Sequence, residues 1–270
     1  MVAIPVDLEK VSAEVNPKKE PAYNGPTGTL KGTIRIEGDA PPDIPVKLTK
    51  GCGEAAATYG KLFRVGVGGA LADAMVAVTG YQGFVPAKEE ALTFTIHGCA
   101  LETKTIVATY GQRIDVTNKD TLESYMPYLN GAESRAVMVA VPGGVPVKLY
   151  PHAVGHYQLG DQLPSNLFAE VFVLKYATHA VSGLDGRYEI KGIPVGKVHV
   201  DAYLPSINRS VGQVFEVKEG DNTVDLTLKY DLKAEAAAKA AASADAGAAP
   251  APSGSGSGSA KGPALPKGPG

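Results

Sequence analysis

The 270-residue sequence contains no apolar run approaching the roughly 20 residues that a membrane-crossing helix needs. Its formal charge is only −2, so bulk charge gives no basic surface of the kind that draws in nucleic acid. Cysteine is scarce, with Cys52 and Cys99 standing 47 residues apart, and two thiolates alone cannot complete a tetrahedral structural zinc site. There is no G-x-S-x-G, no S-x-x-K at a helix start, and no closely spaced carboxylate pair with a distinct neighbourhood. Gly66-Val67-Gly68-Gly69 has the composition of a phosphate loop but leads toward a strand, so the helix N-terminus that such loops need is missing. These absences argue against an enzyme of a common hydrolytic or phosphoryl-transfer class. They also leave the opening residues, MVAIPVDLEKVSAEVNPKKEPAYNGP, without the apolar core of a signal peptide.

Turn formers and strand formers are abundant. Thirty-two glycines and 20 prolines separate short runs rich in β-branched residues, which predicts an all-β protein of sandwich or barrel type. TLKGTIRIEG alternates Leu30, Ile34 and Ile36 with polar neighbours. LTFTIHG and QRIDVTN do the same with Phe94 and Ile96, and with Ile114 and Val116. KLFRVGVG, LADAMVAVTGY, RAVMVAV, VPVKLY, FAEVFVLKY, GRYEI, KVHVDAYL, GQVFEVKEG and NTVDLTLKYD read as further strands. The proline-dotted residues 1–27 read as an extended arm. The Ala/Gly/Ser/Pro-rich residues 232–270 read as a disordered tail, apart from a short helix that alanine repeats could support.

Residues 177–231 carry a specific order of turns: Asp185-Gly186, then Ile193-Pro194-Val195-Gly196, then Gly220-Asp221-Asn222. This order resembles the carboxypeptidase regulatory-like, transthyretin-like β-sandwich. The resemblance implies an accessory packing or binding module rather than a catalytic one. That family's opening strands are missing from this segment but have counterparts upstream, at Gly32-Thr33-Ile34 and at Leu71 to Val76. Two arrangements follow. In one, the sandwich starts at residue 28, runs to 89, is interrupted by a second β unit at 90–176 and resumes at 177–231; in the other, two domains are consecutive and divide near residue 177.

Within 90–176, a Gly-Gln turn, an alternating strand and Asn118-Lys119-Asp120 resemble the plastocyanin-like (cupredoxin) family. That resemblance implies a Greek-key barrel with a type I copper site, but the position of the first histidine ligand holds Ser124 and the position of the thiolate holds Tyr150. A serine hydroxyl is a poor copper ligand, so the site reads as degenerate. Bacterial proteins that join the two units place a cysteine before the strand leading into the cupredoxin unit and another in its first strand, the places of Cys52 and Cys99. The resemblance therefore implies an exported chain in which these two form a disulfide, against the plainer reading of two buried thiols.

The stretch LYPHAVGHYQLGD sets His152 and His156 four apart, but Pro151 and Gly155 rule out a helical zinc motif and make it a loop or strand end. The pair could anchor a sulfur-free copper site completed by Asp161, Met126 or His179, or belong to a packed Tyr/His loop. His97 and His199, single residues on strands, read as structural. In SYMPYLNG, Tyr125, Met126 and Tyr128, together with Tyr150 and Tyr157, either present a surface to a protein, glycan or cell-envelope partner or cap one end of the barrel. The expectation is a non-catalytic extracytoplasmic (periplasmic, cell-envelope or secreted) binding or structural protein with no cofactor. The alternative is a copper-binding or electron-transfer protein using His152 and His156.

Overall fold

A computed structural model of the chain describes residues 5–47, 51–87, 89–132, 137–163 and 165–237; the greater part of the expected tail and part of RAVMVAV lie outside them. The chain is all-β, and its described residues form sixteen strands. They are β1 (Thr27–Gly38), β2 (Met75–Thr79), β3 (Ala91–His97), β4 (Ala100–Leu101), β5 (Thr105–Thr109), β6 (Arg113–Asn118), β7 (Pro127–Asn130) and β8 (Val147–Leu149). The remainder are β9 (Gly155–Asp161), β10 (Phe168–Leu174), β11 (His179–Val181), β12 (Arg187–Pro194), β13 (Gly196–Leu204), β14 (Arg209–Val217), β15 (Gly220–Thr223) and β16 (Leu226–Tyr230).

Four four-stranded sheets pack around two main apolar cores. In the first pair, β1 lies between β12 on one edge and, in parallel, β15 and then β16 on the other, while β11-β2-β13-β14 forms the facing sheet. Leu30, Ile34 and Ile36 on β1 point into the same core as Val76 and Val78 on β2 and Val198 and Val200 on β13. Strands separated by about 100 residues thus share one core: β2 pairs antiparallel with β11, Ala77 facing His179. In the second pair, β5-β10-β9-β7 faces β4-β3-β6-β8 around Ile96, Ile106, Ile114, Val116, Leu159 and Val171. The parallel pairings β3 with β6 and β5 with β10 require the chain to cross between sheets rather than meander.

Close approach of backbone requires glycine at several positions, Gly32 and Gly186 among them. A Cβ on Gly32 would lie 1.8 Å from the Val224 carbonyl oxygen, because β1 passes tightly beside the segment joining β15 and β16. Gly186 has φ +74°, and a Cβ there would meet the Ile34 carbonyl oxygen at 2.5 Å. The Asp185-Gly186 turn thereby docks on β1, with the Ile34 N–H donating to the Gly186 carbonyl at 2.8 Å.

The structure departs from the expected elements in four places. The arm contains a helix, α1 (Leu8–Val15), because Asp7 caps it and no proline falls between positions 5 and 17; Val11 and Val15 pack on the second core. KLFRVGVG is not a strand: its glycines make a 3-10 turn at Val67–Gly69, in which Gly68 takes φ +67°. Of RAVMVAV, the described residues 137–141 contribute only an isolated bridge from Ala140 to Tyr125. A second helix, α2 (Gly53–Tyr59), follows Cys52, and the Cys52–Cys99 disulfide ties it to the β3–β4 turn of the second sandwich.

Candidate functional site

The residues between β1 and β2 fold back over the junction of the two sandwiches and enclose a cleft of about 340 Å³. Its walls come from six separate stretches: Ile44 to Val46, Tyr59 to Phe63, Asp73, Lys104 with Thr105, Asn166 to Glu170, and Leu204 to Ser206. Each is placed by a different force. Lys104 and Glu170 come together because β5 and β10 pair in parallel, with the Glu170 N–H donating to the Lys104 carbonyl at 2.9 Å. Tyr59 is brought in by α2, which the disulfide holds against Ala100 in a small third core. Ser206 sits on the 3-10 turn Pro205–Ile207, which reverses the chain between β13 and β14.

Most of the cleft is apolar, and its polar groups are few. Tyr59 Oη accepts from the backbone N–H of Leu101 at 3.1 Å and of Phe168 at 3.4 Å, and burial raises its pKa, so it stays a hydroxyl. The Ser206 hydroxyl is buried and has no hydrogen-bond partner among the described residues. Lys104 Nζ donates to the carbonyls of Lys61 at 2.9 Å and Leu62 at 3.0 Å. Burial lowers its pKa, against a smaller opposing attraction to Asp73.

Asp73 is already fully engaged. It accepts from Arg64 Nε at 2.7 Å, Arg64 Nη2 at 2.5 Å, Thr103 Oγ1 at 2.9 Å and the Lys104 N–H at 2.8 Å. Its φ of +64° is tolerable for an aspartate, and its own N–H donates to the Ser182 carbonyl. On β10, the Glu170 carboxylate meets His156 Nε2 at 2.5 Å and Gln158 Nε2 at 3.5 Å. The His156 ring stacks on Phe172 at 4.6 Å, and Phe172 makes an edge contact with Tyr203 of the first sandwich.

The residues named for a sulfur-free metal site do not converge. His152 lies in the loop before β9, where its carbonyl accepts from Tyr110 Oη at 2.9 Å, and His156 lies on β9, occupied by Glu170 and Phe172. His179 is on β11 in the first sandwich, 3.0 Å from Thr109 Oγ1, and burial lowers its pKa to about 4. Asp161 and Met126 do adjoin, but through the Met126 N–H donated to Asp161 Oδ1 at 2.7 Å. Among the described residues no three His, Cys, Asp or Glu side chains gather as a metal ion would require. A type I copper set does not fit either: the positions that the resemblance gives to a histidine and to the thiolate hold Ser124 and Tyr150, and the two cysteines are bonded to each other.

Of the tyrosines named for a partner surface, Tyr125 and Tyr157 are buried members of the second core. Tyr125 Oη donates to Asp120 Oδ2 at 2.5 Å, while Asp120 also accepts from the N–H groups of Gly98 and Cys99 beside the disulfide. From Tyr125 to Leu129 every second position faces inward, so Tyr125, Pro127 and Leu129 are buried. Met126, Tyr128 and Tyr150 are half-buried.

No family model matches the sequence, and no curated protein matches it. Among solved structures, a copper-containing nitrite reductase (NirK) from Thermus scotoductus SA-01 is similar over 35% of this chain and 24% of that chain, at 14% identity and a TM-score of 0.27. At that score the likeness carries no argument, and the all-β assignment rests on the strand pairing itself.

Proposed function

We propose that the chain is a non-catalytic, extracytoplasmic binding protein whose two sandwiches and the segment folded over their junction hold a small ligand in the cleft. The carrying observation is the cleft itself: an apolar volume of ligand size, floored by the parallel β5–β10 pair, with a few fixed polar groups including a buried hydroxyl that lacks a partner among the described residues. Export is supported by the Cys52–Cys99 bond, since such bonds persist in oxidising compartments. In this reading the regulatory-like sandwich is formed by residues 28–89 and 177–231, and a cupredoxin-like unit that has lost its copper ligands is inserted at 90–176. The pairing of β1 with β12 and of β2 with β11 supports that division.

Thermal unfolding of the purified chain against a panel of small amphiphiles tests the reading, because a ligand bound only to the folded state raises the transition by mass action. The chain has no tryptophan, so Val46→Trp places a single indole at the cleft wall. Ligands that raise the wild-type transition should also shift that indole's emission. A panel in which no compound does both would sink the proposal.

A further inference from the structure

The polar groups of the cleft are unequal in what they have left to give. Asp73 has spent its oxygens on Arg64, Thr103 and the Lys104 backbone, and the Arg64–Asp73 pair is neutral as a unit. Glu170 has its oxygens on His156 and Gln158. Lys104 is different. Its ammonium meets two backbone carbonyls, neither of which carries a formal charge, and among the described residues no carboxylate lies within ion-pair distance of it. Tyr59 Oη receives two N–H groups, so its own proton is uncommitted, and the Ser206 hydroxyl has no partner among the described residues.

A half-buried cation with no carboxylate within ion-pair distance among the described residues, together with two uncommitted hydroxyl protons, forms a receptor for an anion with several oxygens. Around these groups the walls are hydrocarbon: Ile44, Val46, Phe63, Phe168 and Leu204. We infer that the ligand of this cleft is an apolar monocarboxylate, its head group held by the Lys104 ammonium and the Tyr59 and Ser206 hydroxyls and its hydrocarbon part lying between the two sandwiches. The inference rests on the reading of the cleft as a ligand site and adds the charge and shape of the ligand. The lowered pKa of Lys104 agrees with it, since a bound carboxylate would restore the charge that burial disfavours.

Titration calorimetry of the full chain with octanoate, octan-1-ol and octylamine separates the possibilities without any substitution. Octanoate should bind at least tenfold more tightly than the alcohol, and the amine more weakly than either. Lys104→Met should bring octanoate down to the level of the alcohol, and Lys104→Gln serves if the first variant does not fold. Equal binding of acid and alcohol, or a preference for the amine, would overturn the carboxylate while leaving the cleft as a binding site. Octanoate binding that leaves the Val46→Trp emission unmoved would overturn it by placing the ligand elsewhere. If none of the three binds, the carboxylate falls, and the broader panel decides whether the binding reading falls with it.

Discussion

The four hydrogen bonds that converge on the Asp73 carboxylate link the first sandwich to the segment entering β5, and Arg64 is nearly as buried as its partner, with 11% and 5% of the two side chains exposed. Removing the carboxylate would strand a buried guanidinium, so Asp73→Ala should lower stability by about 3–5 kcal/mol in urea unfolding. A loss below about 1 kcal/mol would mean that water reaches Arg64. Ser206 should behave oppositely. An unsatisfied buried hydroxyl costs about 1–3 kcal/mol, so Ser206→Ala should leave the unliganded protein as stable as wild type or more so. His179 gives a pH dependence with a definite sign. Its folded pKa of about 4 lies below the ordinary 6.5, so between those values the unfolded chain holds the extra proton. Stability therefore falls as the pH drops from about 6.5 to about 4, by up to about 3 kcal/mol. His179→Gln, which can keep a bond to Thr109, should remove that part of the slope when the unfolding free energies of the two proteins are compared across the window.

At the scale of elements, the disulfide closes a loop with a sequence separation of 47, which in the chain-entropy account contributes about 4 kcal/mol. The Cys52→Ala, Cys99→Ala variant should unfold at correspondingly lower urea and loosen α2 first, seen as faster amide exchange at Ala55 to Tyr59. Uniform exchange through α2 and the sheets would count against α2 being the element it holds. The strands were legible wherever one face is buried: Leu30, Ile34 and Ile36 on β1 follow the pleat, as do Ile114 and Val116 on β6. The short helix at 232–237 falls in the alanine-rich stretch that the sequence marked, but α1 and α2 escaped notice because they are short and lie among prolines and glycines, although Asp7 ahead of LEKVSAEV is a cap signal and EAAATY is strongly helix-forming. The cleft was not legible. Lys104, Tyr59 and Ser206 are each unremarkable in their own stretch of sequence, and only the β5–β10 pairing and the disulfide bring their segments to one place.

At the scale of the molecule, β2 and β11 are antiparallel neighbours although about 100 residues separate them, and the Val78 N–H donates to the Thr178 carbonyl at 2.9 Å. The two ends of the intervening chain therefore stand as close as the ends of a hairpin. Replacing residues 82–176 by Asn-Gly should leave the first sandwich folded, with strand-type circular dichroism and a cooperative transition, though a less stable one for lack of the Cys99 partner. A chain that stays unfolded after that excision would show the two cores to be interdependent and would weigh against the inserted arrangement.

The parallel run of β1 beside β16, Ile34 to Gly38 against Leu226 to Tyr230, has a mechanical consequence. Tension applied at Thr27 and at Tyr230 pulls these neighbours along their length in opposite directions, so their hydrogen bonds are loaded together in shear rather than opened one at a time like a zipper. Everything between them in sequence, the second sandwich and the cleft included, is shielded from the load until that clamp slips. Held at Thr27 and Tyr230, the molecule would keep its cleft unstrained under tension up to the force that shears β1 from β15 and β16.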